Sequence, residues 1–340
     1  MKALFIGGTG TISTEISKRC VALGWELTLL NRGNAKQRAP EGARLIQADI
    51  HNEDAVRRAL GNERFDVAAE FVAYTPQEVE RDIRLLEGRV GQYLFISSAS
   101  AYQKPLSMPL ITESTPLCNP YWEYSRNKAA CEETLMRAYR ERDFPVTIVR
   151  PSHTYCQRSV PVALHGAKGS YQVLCRMRQG KKIIIPGDGL TLWTVTHSRD
   201  FAVAFEGLMG NPQALGECFH ITGDERLTWN QITYLTGQAL GVEPKLCHIA
   251  SETLALLNAE WRGALLGDKS NNAVFDNQKL RRAVPGFCAQ TRFDRGVREA
   301  VAYIDAHPEC QTPDEAFDRW CDETVEAYER LAQHLPRLNG

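Results

Sequence analysis

The stretch that most limits what this chain can become is Gly7-Gly8-Thr9-Gly10-Thr11-Ile12-Ser13, because of what flanks it. A short apolar run, Lys2 to Ile6, leads in. Beyond it, Ile12, Ile16, Cys20 and Leu23 recur at helical spacing, and Gly24 marks a stop. Glu26 to Leu30 then reads as a second strand. Strand, glycine turn, helix and strand in so short a span make a βαβ unit, which commits the chain to parallel strands joined by crossover helices. The glycines let the backbone come close to a pyrophosphate. The amino end of the helix offers unpaired N–H groups and a partial positive charge to the same anion. Gly7, Thr9, Gly10, Thr11 and Ile12 are therefore candidate dinucleotide contacts.

The second strand runs into Leu30-Asn31-Arg32-Gly33. An acidic side chain here would accept hydrogen bonds from the adenosine ribose and favour NAD(H). Asn31 is neutral instead, and Arg32 follows, with Lys36 and Arg38 nearby. A guanidinium suits a 2′-phosphate, so the reading leans to NADP(H) over NAD(H); the bland alternative is a solvated arginine. Ala43 to Ala48 forms a third strand. Asp49 at its end can reach an adenine amino group with Ile50 against the ring, or Asp49 or Asn52 simply caps the helix Glu53 to Leu60. Phe65 to Val72 is a fourth strand, entering Ala73-Tyr74-Thr75-Pro76. A small Ala73 lets a dinucleotide cross the strand end, and Tyr74 projects towards substrate or packs on cofactor or core. Gln77 to Leu86 is helical.

Gln92 to Ile96 gives a fifth strand, followed by Ser97-Ser98-Ala99-Ser100. Further on, Tyr124-Ser125-Arg126-Asn127-Lys128 opens a helix running to Arg142. Tyr124 and Lys128 are four apart and share one helix face. A free tyrosine titrates near ~10 and is a poor base at neutral pH. An adjacent ammonium favours the phenolate, so the tyrosine can take a proton from a secondary alcohol or return one to a carbonyl. Such a pair alone is usually a solvated helix face. Ser98 at a strand end adds a hydroxyl able to bond the same substrate oxygen, and together with the glycine turn the three point to one proton-and-hydride site.

These segments resemble the short-chain dehydrogenase/reductase superfamily in its extended, epimerase/dehydratase-like form. The resemblance is carried by Gly7-Gly8-Thr9-Gly10, the Ser98 strand end, Tyr124 with Lys128, Val149-Arg150-Pro151 and Thr196-His197-Ser198-Arg199-Asp200. It implies Tyr124 as catalytic base or acid, Lys128 as the group that holds the nicotinamide ribose and lowers the tyrosine, and Ser98 as the group that positions the reacting oxygen. Pro151, Ser152 and His153 would border the nicotinamide carboxamide. Two departures stand out. Ser13 replaces the third glycine of the family fingerprint. Ala99-Ser100 stands where nucleotide-sugar dehydratases of this family carry an Asp-Glu pair, which argues against 4,6-elimination, since that chemistry needs a further acid and base.

In the second half, Pro145 to Arg150 is a sixth strand and Ser152 to Ser170 reads as a substrate loop. Val173 to Gln179 is helical, and Ile183-Ile184-Ile185 is a strand. Asp200 is expected to cap a helix from Phe201 to Leu208, with His197 structural. Trp193 is a candidate pocket wall or a core ring, and Ser100 joins Tyr74, His153 and Trp193 as candidate substrate contacts. Ala273 to Asp276 and Gln278 to Arg282 read as a strand and helix of a smaller lobe. Arg292 to Asp305 is amphipathic. The terminal helix, Glu315 to Leu335, presents Phe317, Trp320, Val325, Tyr328 and Leu331, which pack on the body or on a second copy in a homodimer.

With 340 residues, 43% hydrophobic and 24% charged, the chain has room for one or two domains. A formal net charge of -1 argues against a dedicated nucleic-acid binder. The apolar run after Met1 is too short for a signal peptide, and no apolar stretch reaches membrane-spanning length. The ten cysteines are scattered singly, so neither zinc nor a disulfide framework is supported and a cytoplasmic setting is expected. The expected fold is α/β: a Rossmann-type doubly wound parallel sheet over residues 1–151, also receiving 183–222, with a smaller C-terminal α/β substrate lobe from 152–182 and 223–340. The expected function is an NAD(P)-dependent enzyme oxidising a secondary alcohol of a sugar or sugar conjugate and returning hydride to the keto form, an epimerisation. Net NADPH-dependent ketone reduction and a non-catalytic nucleotide- or RNA-binding role are the alternatives.

Overall fold

The structure, a computed structural model, describes residues 1–334. Seven parallel strands form the main sheet. Six of them are β1 (Lys2–Ile6), β2 (Glu26–Asn31), β3 (Arg44–Gln47), β4 (Phe65–Glu70), β5 (Val90–Ile96) and β6 (Val146–Pro151), and the seventh is Cys218–Ile221. Their order across the sheet is Cys218–Ile221, β6, β5, β4, β1, β2, β3. The order reverses between β1 and β4, so the crevice at their carboxyl ends is where a doubly wound sheet takes its ligand.

Period-two alternation explains how the sheet buries both faces. On β1, Ala3 and Phe5 join one apolar cluster with Ile16 and Cys20 of α1 (Ser13–Ala22) and Phe201 and Phe205 of the helix Ser198–Leu208. Leu4 and Ile6 point the other way, to Val79 and Ile83 of α3 (Pro76–Leu86) and Cys131 and Leu135 of α4 (Glu123–Arg142). The helix α2 (Glu53–Leu60) starts at Asn52, whose side chain accepts from Ala55 N.

The chain divides into two units. Unit 1 holds Met1–Thr154, Thr194–Asp224 and Ala273–Thr291, and unit 2 holds the remainder. This grouping differs from the expected boundaries in two places. Segment 183–193 belongs with unit 2, because strand Lys182–Pro186 pairs in parallel with Lys245–Ile249. Ala273–Thr291, including the helix Gln278–Ala283 expected in the smaller lobe, belongs with unit 1, and Ala273 to Asp276 is no regular strand, only an isolated bridge between Ile111 and Phe275.

Within unit 2, Leu192–Trp193 pairs with Leu227–Thr228. Helix Trp229–Leu240 begins with a capping box between Thr228 and Gln231. The terminal helix, described to His334, buries Phe317, Cys321 and Val325, and Asp318 and Asp322 pair with Arg176 and Lys181. Its apolar side is thus covered along the first half of the helix, while Tyr328 and Leu331 further along stay exposed. Leu335, expected in this helix, lies outside the described residues. No described helix is long and apolar enough to cross a membrane.

Candidate active site

Tyr124 and Lys128 sit in the first turns of α4, entered from Trp122 in extended conformation. Lys128 is buried, and its Nζ donates to the carbonyls of Ala73 and Ile96, each at 2.7 Å. Those carbonyls lie just past the ends of β4 and on the last residue of β5, so the ammonium bridges two strand ends. It lies 4.6 Å from the Tyr74 ring centroid, 4.8 Å from Phe95 and 5.9 Å from Tyr124. Burial pushes Lys128 down to about 8, against the opposing pull of Cys131 and of the Glu70, Glu78 and Glu132 carboxyls. Tyr124 stands between Trp122, with centroids 4.8 Å apart, and Tyr74, at 6.2 Å.

Ser98 follows β5 in extended conformation. Its Oγ lies 2.8 Å from Ser100 Oγ and accepts from Ser100 N at 3.2 Å. Ser125, the residue after Tyr124, donates from its own Oγ to Ser100 Oγ at 2.8 Å. Asn119 Nδ2 holds the Ser100 carbonyl at 2.7 Å. A chain of buried hydroxyls therefore ties the Ser98 turn to the first turn of α4. Ser100, expected as a substrate contact, is spent on this chain. One turn beyond Lys128, Glu132 accepts from Ser97 Oγ at 2.5 Å and pairs with Arg150 of β6 at 2.6 Å. Arg150 also donates to Tyr102 Oη at 3.1 Å. These bonds fix α4 against β5 and β6, and with it Tyr124 and Lys128.

A cavity of about 630 Å³ opens at the carboxyl end of β1, within the size range of small-molecule and cofactor sites, roughly 300–1,000 Å³. Gly7 to Ser13 form one wall, so the amino end of α1 borders it. Gly7 and Gly8 have φ of +105° and +93°, and a Cβ on Gly8 would come within 2.6 Å of Leu29. Ser13 makes good the missing fingerprint glycine: it is buried, and its Oγ accepts from Gly10 N at 2.9 Å. Asn31 Oδ1 accepts from Gly33 N at 2.9 Å, which shapes the turn after β2. Arg32 and Arg38 line the cavity, and among the described residues no carboxylate pairs with either. Asp49 and Ile50 line it too; the Asp49 side chain accepts from His51 N at 3.0 Å. Tyr74 and Glu78 close the far side. The donors and shape fit an anionic dinucleotide: a helix amino end, a glycine-walled turn and two unpaired guanidiniums.

Beneath this wall lies a buried acid cluster that the sequence did not disclose. Glu70, the last residue of β4, accepts from Val72 N through Oε1, while its Oε2 has no donor among the described residues. Asp82 is paired with Arg81 at 2.8 Å and accepts from Tyr93 Oη at 2.8 Å. Burial and the neighbouring Asp82 raise Glu70 well above the usual carboxylate range.

Other expected site residues fall as follows. Pro151 ends β6, and His153 lies half-buried on the short strand His153–Tyr155. In unit 2, Trp193 is 2% exposed, with its ring 4.9 Å from Trp229, so its surface is consumed by packing rather than left for a ligand. His197, not Asp200, caps the helix Ser198–Leu208: its Nδ1 accepts from Arg199 N at 3.1 Å. Asp200 sits inside the first turn, and its carboxylate takes Gln290 N and Thr291 N. Arg38, Phe71 and Glu78 line the cavity without having been singled out for it. The basic cluster after β2 was the sequence signal for Arg38; nothing local marked the other two.

Comparison with known proteins agrees with this geometry. The chain is 24% identical over 290 residues to 2′-dehydrokanamycin reductase of Streptomyces kanamyceticus, covering 84% of this chain and 80% of that protein. It is 28% identical over 262 residues to chloroplast stem-loop binding protein of 41 kDa b of Arabidopsis thaliana, covering 73% and 65%. Epimerase Mth375 of Methanothermobacter thermautotrophicus has the same fold, with a TM-score of 0.76 at 14% identity over 91% of this chain and 93% of that one. The family model for the NAD dependent epimerase/dehydratase family matches residues 3–221. With that match over most of unit 1, the chain belongs to the NAD-dependent epimerase/dehydratase family and is an NAD(P)-dependent enzyme of short-chain dehydrogenase/reductase type.

Proposed function

We propose that this protein interconverts a secondary alcohol and a ketone on a sugar or sugar conjugate, with NADP(H) as the preferred dinucleotide. The observation that carries the reading is the convergence of Ser98, Tyr124 and Lys128 on neighbouring strand and helix ends, with Lys128 locked between the Ala73 and Ile96 carbonyls. A bound nicotinamide supplies the hydride acceptor or donor. Tyr124 takes the proton from the alcohol in one direction and returns it to the ketone oxygen in the other. Ser98 donates to that same oxygen, where charge develops. Lys128 stabilises the phenolate and bonds the ribose. Asp49, Ile50, Ala73, Pro151 and His153 belong to the dinucleotide side of this reading.

Sequence reading placed epimerisation first. Net reduction is placed first because two guanidiniums with no carboxylate partner among the described residues, Arg32 and Arg38, border the cavity next to the turn after β2, which suits a 2′-phosphate. The similarity to a protein named 2′-dehydrokanamycin reductase supports the same direction. Epimerisation remains the second reading, favoured by the family. An RNA-binding role, suggested by the relative named as a stem-loop binding protein, is disfavoured by a net charge of -1 and by the complete Ser98, Tyr124, Lys128 set. The test is to release and identify the dinucleotide carried by the purified protein, then titrate NADPH and NADH. Tighter NADPH binding that Arg32→Ala abolishes supports net reduction. A tightly retained NAD(H) that does not exchange supports epimerisation instead.

A further inference from the structure

An ammonium has three protons to donate, and two of those on Lys128 go to the Ala73 and Ile96 carbonyls. The remaining side faces rings: Phe95, fully buried below, and Tyr74. Tyr74 is 48% exposed, and among the described residues no protein group holds its phenol oxygen. Its ring lines the 630 Å³ cavity, whereas Lys128, Tyr124 and Ser98 are not among the cavity's lining residues. Tyr74 thus stands between the dinucleotide groove and the catalytic pair. Its backbone is fixed, because Tyr74 N and Thr75 N donate to Glu78 Oε2 at 2.6 and 2.9 Å at the start of α3. Only the side chain is free to turn.

We propose that Tyr74 is a gate on the cofactor site: its ring holds the third side of the Lys128 ammonium and must swing off before the nicotinamide-side ribose of a dinucleotide can bond there. The proposal rests on Lys128 being the ribose contact. Binding then exchanges a cation–π contact for a hydrogen bond, and the exchange lowers apparent affinity by what the ring contact contributes, about three- to tenfold. Ligands that lack the nicotinamide-side ribose never reach Lys128 and do not feel the gate.

The full-length protein is titrated with NADPH, NADH and ADP in wild type, Tyr74→Phe, Tyr74→Ala, Tyr74→Leu and Lys128→Met. Tyr74→Phe keeps the ring and should match wild type for all three. Tyr74→Ala and Tyr74→Leu should bind NADPH and NADH about three- to tenfold more tightly with ADP unchanged, and that gain should vanish on the Lys128→Met background. ADP also reports whether each variant is folded. If the Ala and Leu variants bind the dinucleotides equally or more weakly while Lys128→Met weakens them, the gate is refuted and the ribose contact stands. If Lys128→Met changes neither the dinucleotides nor ADP, the ribose contact itself fails and the gate with it. Loss of ADP binding in both Tyr74 variants would make Tyr74 a structural wall and refute the proposal.

Discussion

The hydroxyl oxygens of Ser98 and Ser100 lie 2.8 Å apart, and Ser125 donates into the pair from the helix that carries Tyr124. If Ser125 donates to Ser100, Ser100 is free to donate to Ser98, and the Ser98 proton is left for the substrate oxygen. Ser100→Ala breaks the chain without touching the reacting atoms. Steady-state kinetics should show kcat reduced about five- to tenfold, the worth of one hydrogen bond, with KM little changed. Ser100→Thr restores the hydroxyl and should recover most of the rate. An equal loss in the threonine variant would mean that the site tolerates only the serine shape and that the hydroxyl is not what matters.

On the proposed mechanism Lys128 sets an alkaline limit to activity. Burial lowers it to about 8 against an ordinary 10.5, so above about 8 the folded protein loses the charge that this mechanism assigns to supporting the Tyr124 phenolate. kcat/KM should fall above that pH. Stability moves the other way. Between about 8 and 10.5 the folded state binds fewer protons than the unfolded one, so this group's contribution to unfolding free energy rises with pH. A pH–rate profile run beside thermal melts should therefore show activity lost before the melting temperature drops on this account. A rate limb that tracks unfolding would contradict it.

Glu132 and Arg150 form a buried pair at 2.6 Å. Removing one partner strands the other charge, which typically costs about 3–5 kcal/mol. Glu132→Ala should show a loss of that order in denaturant unfolding. Ser97 loses its acceptor in the same variant, so the turn carrying Ser98 should also loosen, visible as faster amide exchange at Ser97 and Ser98. A loss below about 1 kcal/mol would place the pair in the range of exposed ion pairs and remove it as the clamp on α4.

Burial and the neighbouring Asp82 push the Glu70 carboxyl well above the usual carboxylate range. A carboxyl raised in the folded state contributes stability that is complete below its ordinary 4.5 and is lost as pH rises through the folded value. Glu70→Gln keeps the neutral shape and cannot titrate. Between about pH 5 and about pH 8 its melting temperature should fall less than that of the wild type. Parallel melting curves across that range would show that Glu70 does not carry the proton.

The sheet and the placing of Tyr124 and Lys128 on one turn of α4 were legible because their signals are local. Alternation in β1 and β4, helical spacing after Gly10, and the four-residue step from Tyr124 to Lys128 need no knowledge of distant residues. The partners that tune the site were not legible. Glu70 meets Asp82 only because β4 and α3 pack together, and Ser100 meets Ser125 only because α4 docks on the β5 turn. Asp200 looked like a helix cap from its place in the sequence, but its carboxylate is engaged by the backbone of Gln290 and Thr291, ninety residues away, leaving the cap to His197. Trp193 read equally as pocket wall or core ring, and only the position of Trp229 shows that the ring is buried.

The central claim is that Tyr124 moves the proton while hydride passes to or from a nicotinamide. Its most direct test is single-turnover oxidation of bound NADPH, followed by nicotinamide absorbance, with a panel of keto-sugars and keto-amino-sugars in wild type and Tyr124→Phe. Loss of a positioned acid–base group should slow the turnover at least about a hundredfold, with NADPH affinity unchanged. Equal rates in the two proteins on a ketone that the wild type reduces would contradict the account.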